Sequence, residues 1–242
     1  NLMKILITGA VGFIGLHLVK KLSEQNHNIV CCDLLNEKEI DNYCNRIFSK
    51  KNIDYIKVDL NNPLKVKKLS NDYDIIFHLA GYLGVKNVIK NPAQTLTSNI
   101  NMALNIVELS KKQKDLKKIF FTSTSEVYSG SVDKKLIRVP TGENIDLLIS
   151  NNYKPRMSYM LSKILGEALF SFNSTCTFIL RPHNIYGPRM GMKHVIPQLL
   201  QKVYYENSSE LDLYSPKHTR AFCYIDDAIN FIERLLKLKE NR

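Results

Sequence analysis

A tyrosine and a lysine stand four residues apart at Tyr159 and Lys163, a spacing that places both on one face of a helix. A free phenol ionises near pH ~10 and is a poor base at neutrality. An ammonium group beside it favours the phenolate, which can then take a proton from a hydroxyl. A second cluster, Ser123, Thr124, Ser125 and Glu126, follows an apolar run. A hydroxyl at the C-terminal end of a strand points into the crevice where parallel sheets bind ligands. Thr124 can there hydrogen-bond a reacting hydroxyl and Glu126 can serve as a second acid or base. The plainer reading of Ser123 and Ser125 is a polar turn capping the next segment.

Proton transfer by such a tyrosine needs an acceptor for the accompanying hydride, and the start of the chain supplies a place for one. Thr8-Gly9-Ala10-Val11-Gly12-Phe13-Ile14-Gly15 lies between an apolar run and an amphipathic segment. Gly9 permits a tight turn, Gly12 admits a pyrophosphate close to the backbone, and Gly15 lets helix and sheet pack closely. The helix N-terminus adds free N–H groups and partial positive charge. Asp33 ends the second apolar run, roughly 20 residues on, where a carboxylate accepts from a ribose diol and repels a 2′-phosphate. NAD is therefore expected over NADP, and its positive nicotinamide adds to Lys163 in favouring a Tyr159 phenolate.

These residues need a scaffold, and apolar runs alternate with helix-length amphipathic segments. Strands are expected at residues 4–8, 28–32, 55–58, 74–78, 118–122 and 176–181. Helices are expected at 12–24, 64–69, 92–112, 158–172, 195–205 and 226–239. Residues 181–189 read as a loop, and a polar stretch reaches Thr219. In the helix from Pro92, the residues Leu96, Ile100, Ala103, Leu104 and Val107 form the expected apolar face. The fold class is α/β: a Rossmann-type, doubly wound parallel sheet with a small C-terminal substrate-binding lobe.

The 242 residues are 44% hydrophobic and 24% charged, enough for a sizeable core. The formal charge of +11 comes from lysine clusters at 65–68, 111–118 and 134–135 that read as solvated surface. No aromatic residues interleave them, so no nucleic-acid platform is expected. The positive field would favour a multiply anionic small substrate. The five cysteines have no paired spacing, so neither a disulfide framework nor a metal site is expected. With no signal peptide and no apolar stretch long enough for a bilayer, a cytoplasmic protein is expected.

Taken together, these motifs resemble the extended short-chain dehydrogenase/reductase family of nucleotide-sugar epimerases, dehydratases and decarboxylases. Other segments fit in order along nearly the whole chain. Asp59-Leu60 is similar to the family's adenine-contacting pair, and His78-Leu79-Ala80-Gly81 to its cofactor-lining segment. Asn99 matches an asparagine on the long helix. Residues 181–189, Arg181-Pro182-His183-Asn184-Ile185-Tyr186-Gly187-Pro188-Arg189, resemble its substrate loop, and residues 220–227 a later substrate segment. The resemblance implies that Tyr159 is the base, that Lys163 binds the nicotinamide ribose and tunes Tyr159, and that Thr124 is the third catalytic residue. Cofactor contacts are implied for Gly9, Gly12, Phe13, Ile14, Gly15, Asp33, Asp59, Leu60, Leu79, Ala80, Gly81 and Asn99. Ser125, Asn184, Arg189 and Arg220 are implied on the nucleotide-sugar side. The shared first step would be oxidation at sugar C4 to a 4-keto intermediate.

A simple 4-epimerase needs no further acid, whereas a 4,6-dehydratase must remove a C5 proton, so Glu126 leans the expectation towards a decarboxylase or 4,6-dehydratase. Lys154-Pro155-Arg156 is similar to the segment in UDP-glucuronate decarboxylases. Arg156 can pair with a substrate carboxylate, although an exposed residue is the plainer reading. A 4-epimerase is the alternative, and a non-catalytic NAD sensor or scaffold the alternative of another class. Two departures stand out. Tyr128 is followed by Ser129-Gly130 rather than directly by glycine. Family members also continue several tens of residues past the position of Asp227. Residues 1–180 are thus read as the NAD-binding domain and 181–242 as a substrate lobe that is compact or incomplete. The resemblance also implies a homodimer through helices around 100–107 and 158–169.

Overall fold

The structure is a computed structural model that describes residues 2–173, 176–205, 217 and 219–238. Short apolar runs form strands and the amphipathic stretches between them form helices. β1 (Lys4–Thr8) leads into α1 (Phe13–Glu24), β2 (Asn28–Asp33) into α2 (Asn42–Phe48), and β3 (Ile53–Lys57) into α3 (Pro63–Val66). β4 (Ile75–His78) leads into α4 (Val85–Lys90) and α5 (Pro92–Lys111). β5 (Lys118–Thr122) is followed by a 3-10 turn (Ser125–Tyr128), α6 (Ser129–Asp133), α7 (Met157–Ser171) and then β6 (Thr177–Leu180). The strands pair in parallel in the order β3-β2-β1-β4-β5-β6. The order reverses between β1 and β4, which opens a crevice at the C-terminal strand ends. The register sets Thr8 beside His78 and His78 beside Phe121, so the C-terminal ends of three strands reach one edge.

Both faces of the sheet are covered, which is why β1 and β4 read as unbroken apolar runs. Ile5, Leu6, Ile7, Ile76 and Phe77 are fully buried. On one face Phe77 stacks on Phe120 at 4.4 Å and Phe120 on Phe178 at 4.9 Å. On the other, Phe121 stacks on Phe170 at 4.6 Å. Gly166 of α7 leaves room for the Phe121 ring, which a Cβ there would meet at 2.3 Å.

Most expected elements are present within a few residues, and four features differ. α2, α4 and α6 were not anticipated. α2 carried a readable signal: Asp41 caps it by accepting from Cys44 N at 2.9 Å, and Cys44, Ile47 and Phe48 are buried at helical spacing. The buried face of α5 is rotated from the expected stripe and comprises Thr95, Asn99, Met102, Ala103, Ile106, Val107, Leu109 and Ser110, while Leu104 is 41% exposed. The face turned to the sheet carries polar groups because it reaches the crevice. Lys118, in a lysine cluster otherwise exposed, is buried and donates to the Leu238 carbonyl. Ile185 and Tyr186, read as loop, form a strand too short to show periodicity.

The chain divides into a first unit, Asn1–Pro182, to which Leu238 also belongs, and a second, His183–Lys237. Within the second unit β7 (Ile185–Tyr186) pairs in parallel with β8 (Cys223–Tyr224), and the helices are α8 (Val195–Tyr205) and α9 (Ile225–Lys237). α9 buries Ile225, Ala228, Ile229 and Ile232, with Asp226 and Asp227 in its first turn and Arg234 and Lys237 in its last, matching the helix dipole. Most of the polar stretch before Thr219 lies outside the described residues.

Candidate active site

The glycine loop wraps the end of β1. Gly9 N and Ala10 N donate to the Cys32 carbonyl at 2.8 and 3.3 Å, and Gly12 N to Gly9 O at 3.0 Å. Gly9 has φ +69°, and a Cβ on it would lie 2.8 Å from Ala80 N; a Cβ on Gly15 would lie 2.2 Å from Gly9 O. No side chain caps α1 and no acidic residue sits in its first turn, so the first N–H groups at Phe13, Ile14 and Gly15 remain available to an anion. Phe13 packs edge-on against His17 at 5.4 Å. The Asp33 carboxylate accepts from Val11 N at 3.0 Å and Leu34 N at 2.8 Å, one bond per oxygen, which leaves acceptor capacity for a diol.

Behind the loop, the Thr8 hydroxyl accepts from Ala80 N at 3.2 Å and lies 2.9 Å from His78 Nδ1. Burial, with Lys163 adding repulsion, lowers His78 to about 3. Asn99 grips the main chain of Tyr82: its Oδ1 accepts from Tyr82 N at 2.7 Å and its Nδ2 donates to Tyr82 O at 3.1 Å and Ser162 Oγ at 3.2 Å. Its amide therefore braces the segment after Gly81 against α7. Leu60 buries its side chain in the core and Asp59 accepts from Asn61 N at 2.9 Å. Leu60 can thus offer a ligand only backbone atoms.

The helix-borne pair meets both segments. Lys163, 4% exposed, donates to the Thr122 carbonyl at 2.8 Å, lies 5.7 Å from the Tyr159 ring centre, and would stand 3.5 Å from a Cβ on Gly81. Burial lowers its ammonium to about 8. Burial, reinforced by Glu126, pushes the Tyr159 phenol up to about 12. In the protein without cofactor, burial keeps the Tyr159 phenol protonated. Thr124 Oγ1 accepts from Glu126 N at 3.2 Å and keeps its proton for donation. Ser125 N donates to the Pro182 carbonyl at 3.2 Å. Glu126 meets Arg156 at 3.2 Å in a half-exposed ion pair. Ser129, at the departure from the family pattern, donates to the Glu126 carbonyl at 2.7 Å and closes the turn.

Three residues belong to the second unit. Asn184 donates to the Ala221 carbonyl at 2.9 Å and its own carbonyl accepts from Cys223 N at 3.4 Å, so it builds the small sheet. Arg189 has φ +68°, and Arg220 is exposed, donating to Thr219 O at 2.9 Å. The sequence reading passed over Glu167, which is buried against Ser123 and Arg181. Its signal was available, since Glu167 continues the Tyr159–Lys163 face by another four residues.

A doubly wound sheet with a phosphate loop at its switch point defines a dinucleotide-binding protein of Rossmann type. Residues 5–242 match the model of the NAD dependent epimerase/dehydratase family, and the chain belongs to that family, whose cofactor is NAD. It is 32% identical over 231 residues to a UDP-N-acetyl-alpha-D-glucosaminuronate decarboxylase of Bacillus cytotoxicus, covering 93% of this chain and 68% of that one. It is 31% identical over 261 residues to a dTDP-D-glucose 4,6-dehydratase of Dictyostelium discoideum, covering 99% and 56%. Among solved structures, a UDP-glucuronic acid 4-epimerase from Bacillus cereus, in complex with UDP-glucuronic acid and NAD, superposes with a TM-score of 0.77 at 28% identity, covering 99% and 74%. The residues present fit NAD: the glycine cradle has no space for a Cβ at Gly9 or Gly15. The buried Thr122 hydroxyl, beside the Lys163 contact, has no partner among the described residues.

Proposed function

We propose that this chain oxidises a nucleotide sugar at C4 and then removes carbon dioxide or water from the 4-keto product, with decarboxylation of a nucleotide uronate favoured. The observation that carries the reading is Lys163, whose buried amine joins the Thr122 carbonyl, the Gly81 segment and the Tyr159 ring. When bound, NAD supplies the hydride acceptor, held by the loop from Gly9 to Gly15, Asp33, the Leu79–Ala80–Gly81 backbone and Lys163. Tyr159 takes the proton of the sugar hydroxyl, and the Thr124 hydroxyl holds that oxygen in line. Lys163 keeps a positive charge at the phenol and so opposes the cost of its burial. A ketone at C4 is β to a C6 carboxylate, so loss of carbon dioxide needs no further base. Loss of water needs removal of the C5 proton, which Glu126 can accept. Arg156, paired with Glu126 and with an exposed side chain, can receive a uronate carboxylate. The substrate contacts of Asn184, Arg189, Arg220 and Ser125 are part of this proposal.

The decarboxylase relative supports this preference, and the structural likeness to a UDP-glucuronic acid 4-epimerase supports epimerisation as a second reading. Incubation with NAD and UDP-, dTDP-, GDP- and CDP-sugars, read by mass spectrometry, separates the outcomes. Loss of carbon dioxide supports decarboxylation, loss of water dehydration, and an isomer of unchanged mass epimerisation; no product from any sugar overturns the reading. Tyr159→Phe should keep NAD binding and lose turnover.

The outward stripe on α5 and α7, with Leu104 41% and Leu165 46% exposed, supports a homodimer through these helices. No described helix is long and apolar enough to cross a membrane, and five free cysteines suit a reducing cytoplasm.

A further inference from the structure

Tyr159, Lys163 and Glu167 follow one another at four-residue intervals along α7 and share a face. Lys163 holds the carbonyl of Thr122, and Glu167 accepts from the hydroxyl of the next residue, Ser123. The Glu167 carboxylate is buried and would be costly there without a counter-ion. Arg181 supplies it through a two-pronged contact, Nε to Oε1 at 2.8 Å and Nη2 to Oε2 at 2.6 Å. The remaining nitrogen of Arg181, Nη1, donates to the Tyr128 hydroxyl at 2.7 Å and the Glu143 carbonyl at 3.1 Å, and the guanidinium lies 5.1 Å from the Tyr128 ring centre. Ser123 directly precedes Thr124, the cap of the turn that carries Glu126, and Tyr128 is the last residue of that turn. One buried ion pair therefore holds the turn at both ends, and it does so from the helix that carries Tyr159.

We infer that Glu167 and Arg181 are positioning residues that set the distance of Thr124 and Glu126 from Tyr159. This rests on the catalytic roles proposed above for those three residues. A buried ion pair is weak evidence for stability, because apolar replacements often fold as well. Its use here is geometric. The Arg181 fork accepts one carboxylate orientation, Glu167 then fixes Ser123, and Arg181 fixes Tyr128. A turn released from either hold shifts while NAD and sugar still bind, which costs turnover and spares affinity.

The test compares full-length Ser123→Ala, Glu167→Gln and Arg181→Lys with the wild type. Each variant should lose about tenfold or more in kcat, since a shift of ~1 Å at reacting groups costs up to ~100-fold. KM for the nucleotide sugar and the NAD dissociation constant should stay near wild type. Hydrogen–deuterium exchange should quicken at the amides of residues 125–128 and not in α1. Undiminished kcat in Ser123→Ala and Glu167→Gln, with only thermal stability lowered, overturns the inference. If Glu167→Gln fails to fold, Ser123→Ala decides, because it leaves the Arg181–Glu167 pair intact. If the wild type turns over no nucleotide sugar, the functional reading fails. Exchange then decides alone: quickening confined to 125–128 supports the positioning role, and unchanged exchange overturns it.

Discussion

Replacing Gly9 by alanine should disable the cofactor loop, by an amount that follows from its surroundings. Gly9 adopts φ +69°, and a left-handed conformation costs an L-residue about 1–2 kcal/mol. The added Cβ would lie 2.8 Å from Ala80 N, 2.9 Å from Ala80 Cα and 3.1 Å from Leu79 C. All three are main-chain atoms, and Ala80 is tethered through its N–H to Thr8, so no side-chain rotation relieves the overlap. Overpacking of this kind adds about 1–3 kcal/mol. The loop relaxes by leaving the shape that presents its N–H groups. A total of about 2–5 kcal/mol corresponds to NAD binding weakened about 30-fold to several thousand-fold. Isothermal titration of Gly9→Ala with NAD measures this directly. Gly142→Ala is the control, because a Cβ there meets nothing within 4 Å. NAD affinity in Gly9→Ala within about twofold of wild type, a difference under ~0.5 kcal/mol, would refute the reasoning, as would equal weakening in Gly142→Ala.

Other predictions concern charge and surface. His78 is lowered to about 3, so between about pH 6.5 and 3 the unfolded chain binds a proton that the folded chain refuses, and stability falls as pH falls. By pH 5 the loss is about 2 kcal/mol; urea titrations at pH 7.5 and 5 should show that difference shrinking in His78→Asn. Lys163, lowered to about 8 by burial, penalises the fold below pH 8, and the penalty fades as pH rises towards the unfolded value. Lys163→Met should therefore abolish turnover yet raise stability at pH 7 by about 2–3 kcal/mol, the gain narrowing by pH 10 in the same titrations. Glu126→Gln should leave a 4-epimerase active and cripple a 4,6-dehydratase, which product analysis by mass spectrometry distinguishes. Leu104→Glu with Leu165→Glu should convert the proposed dimer to monomer in light scattering.

Much of the candidate site was legible because its parts are local. Phosphate loop, Asp33 and the Tyr159–Lys163 pair depend on spacings of a few residues and on neighbouring apolar runs, which periodicity exposes. The face of α5 was misread for the opposite reason. Thr95 and Asn99 are polar, so a hydrophobic stripe could not include them, yet Asn99 is buried because its amide completes a hydrogen-bonded pair with Tyr82. Asp59 and Leu60 likewise matched a motif, while only the folded chain directs Leu60 into the core.

The sequence by itself determined a parallel α/β sheet, a dinucleotide loop and a tyrosine–lysine pair, since helix and strand periods and glycine spacing act over short stretches of chain. Tertiary structure decided how those parts are held and charged. Ser123 meets Glu167 across 44 residues and Asn99 meets Ser162 across 63. Tyr159 is pushed up, and Lys163 down, by burial that exists only after the sheet and helices close. Desolvation and long-range hydrogen bonds are properties of packed atoms, and no local pattern of residues encodes them.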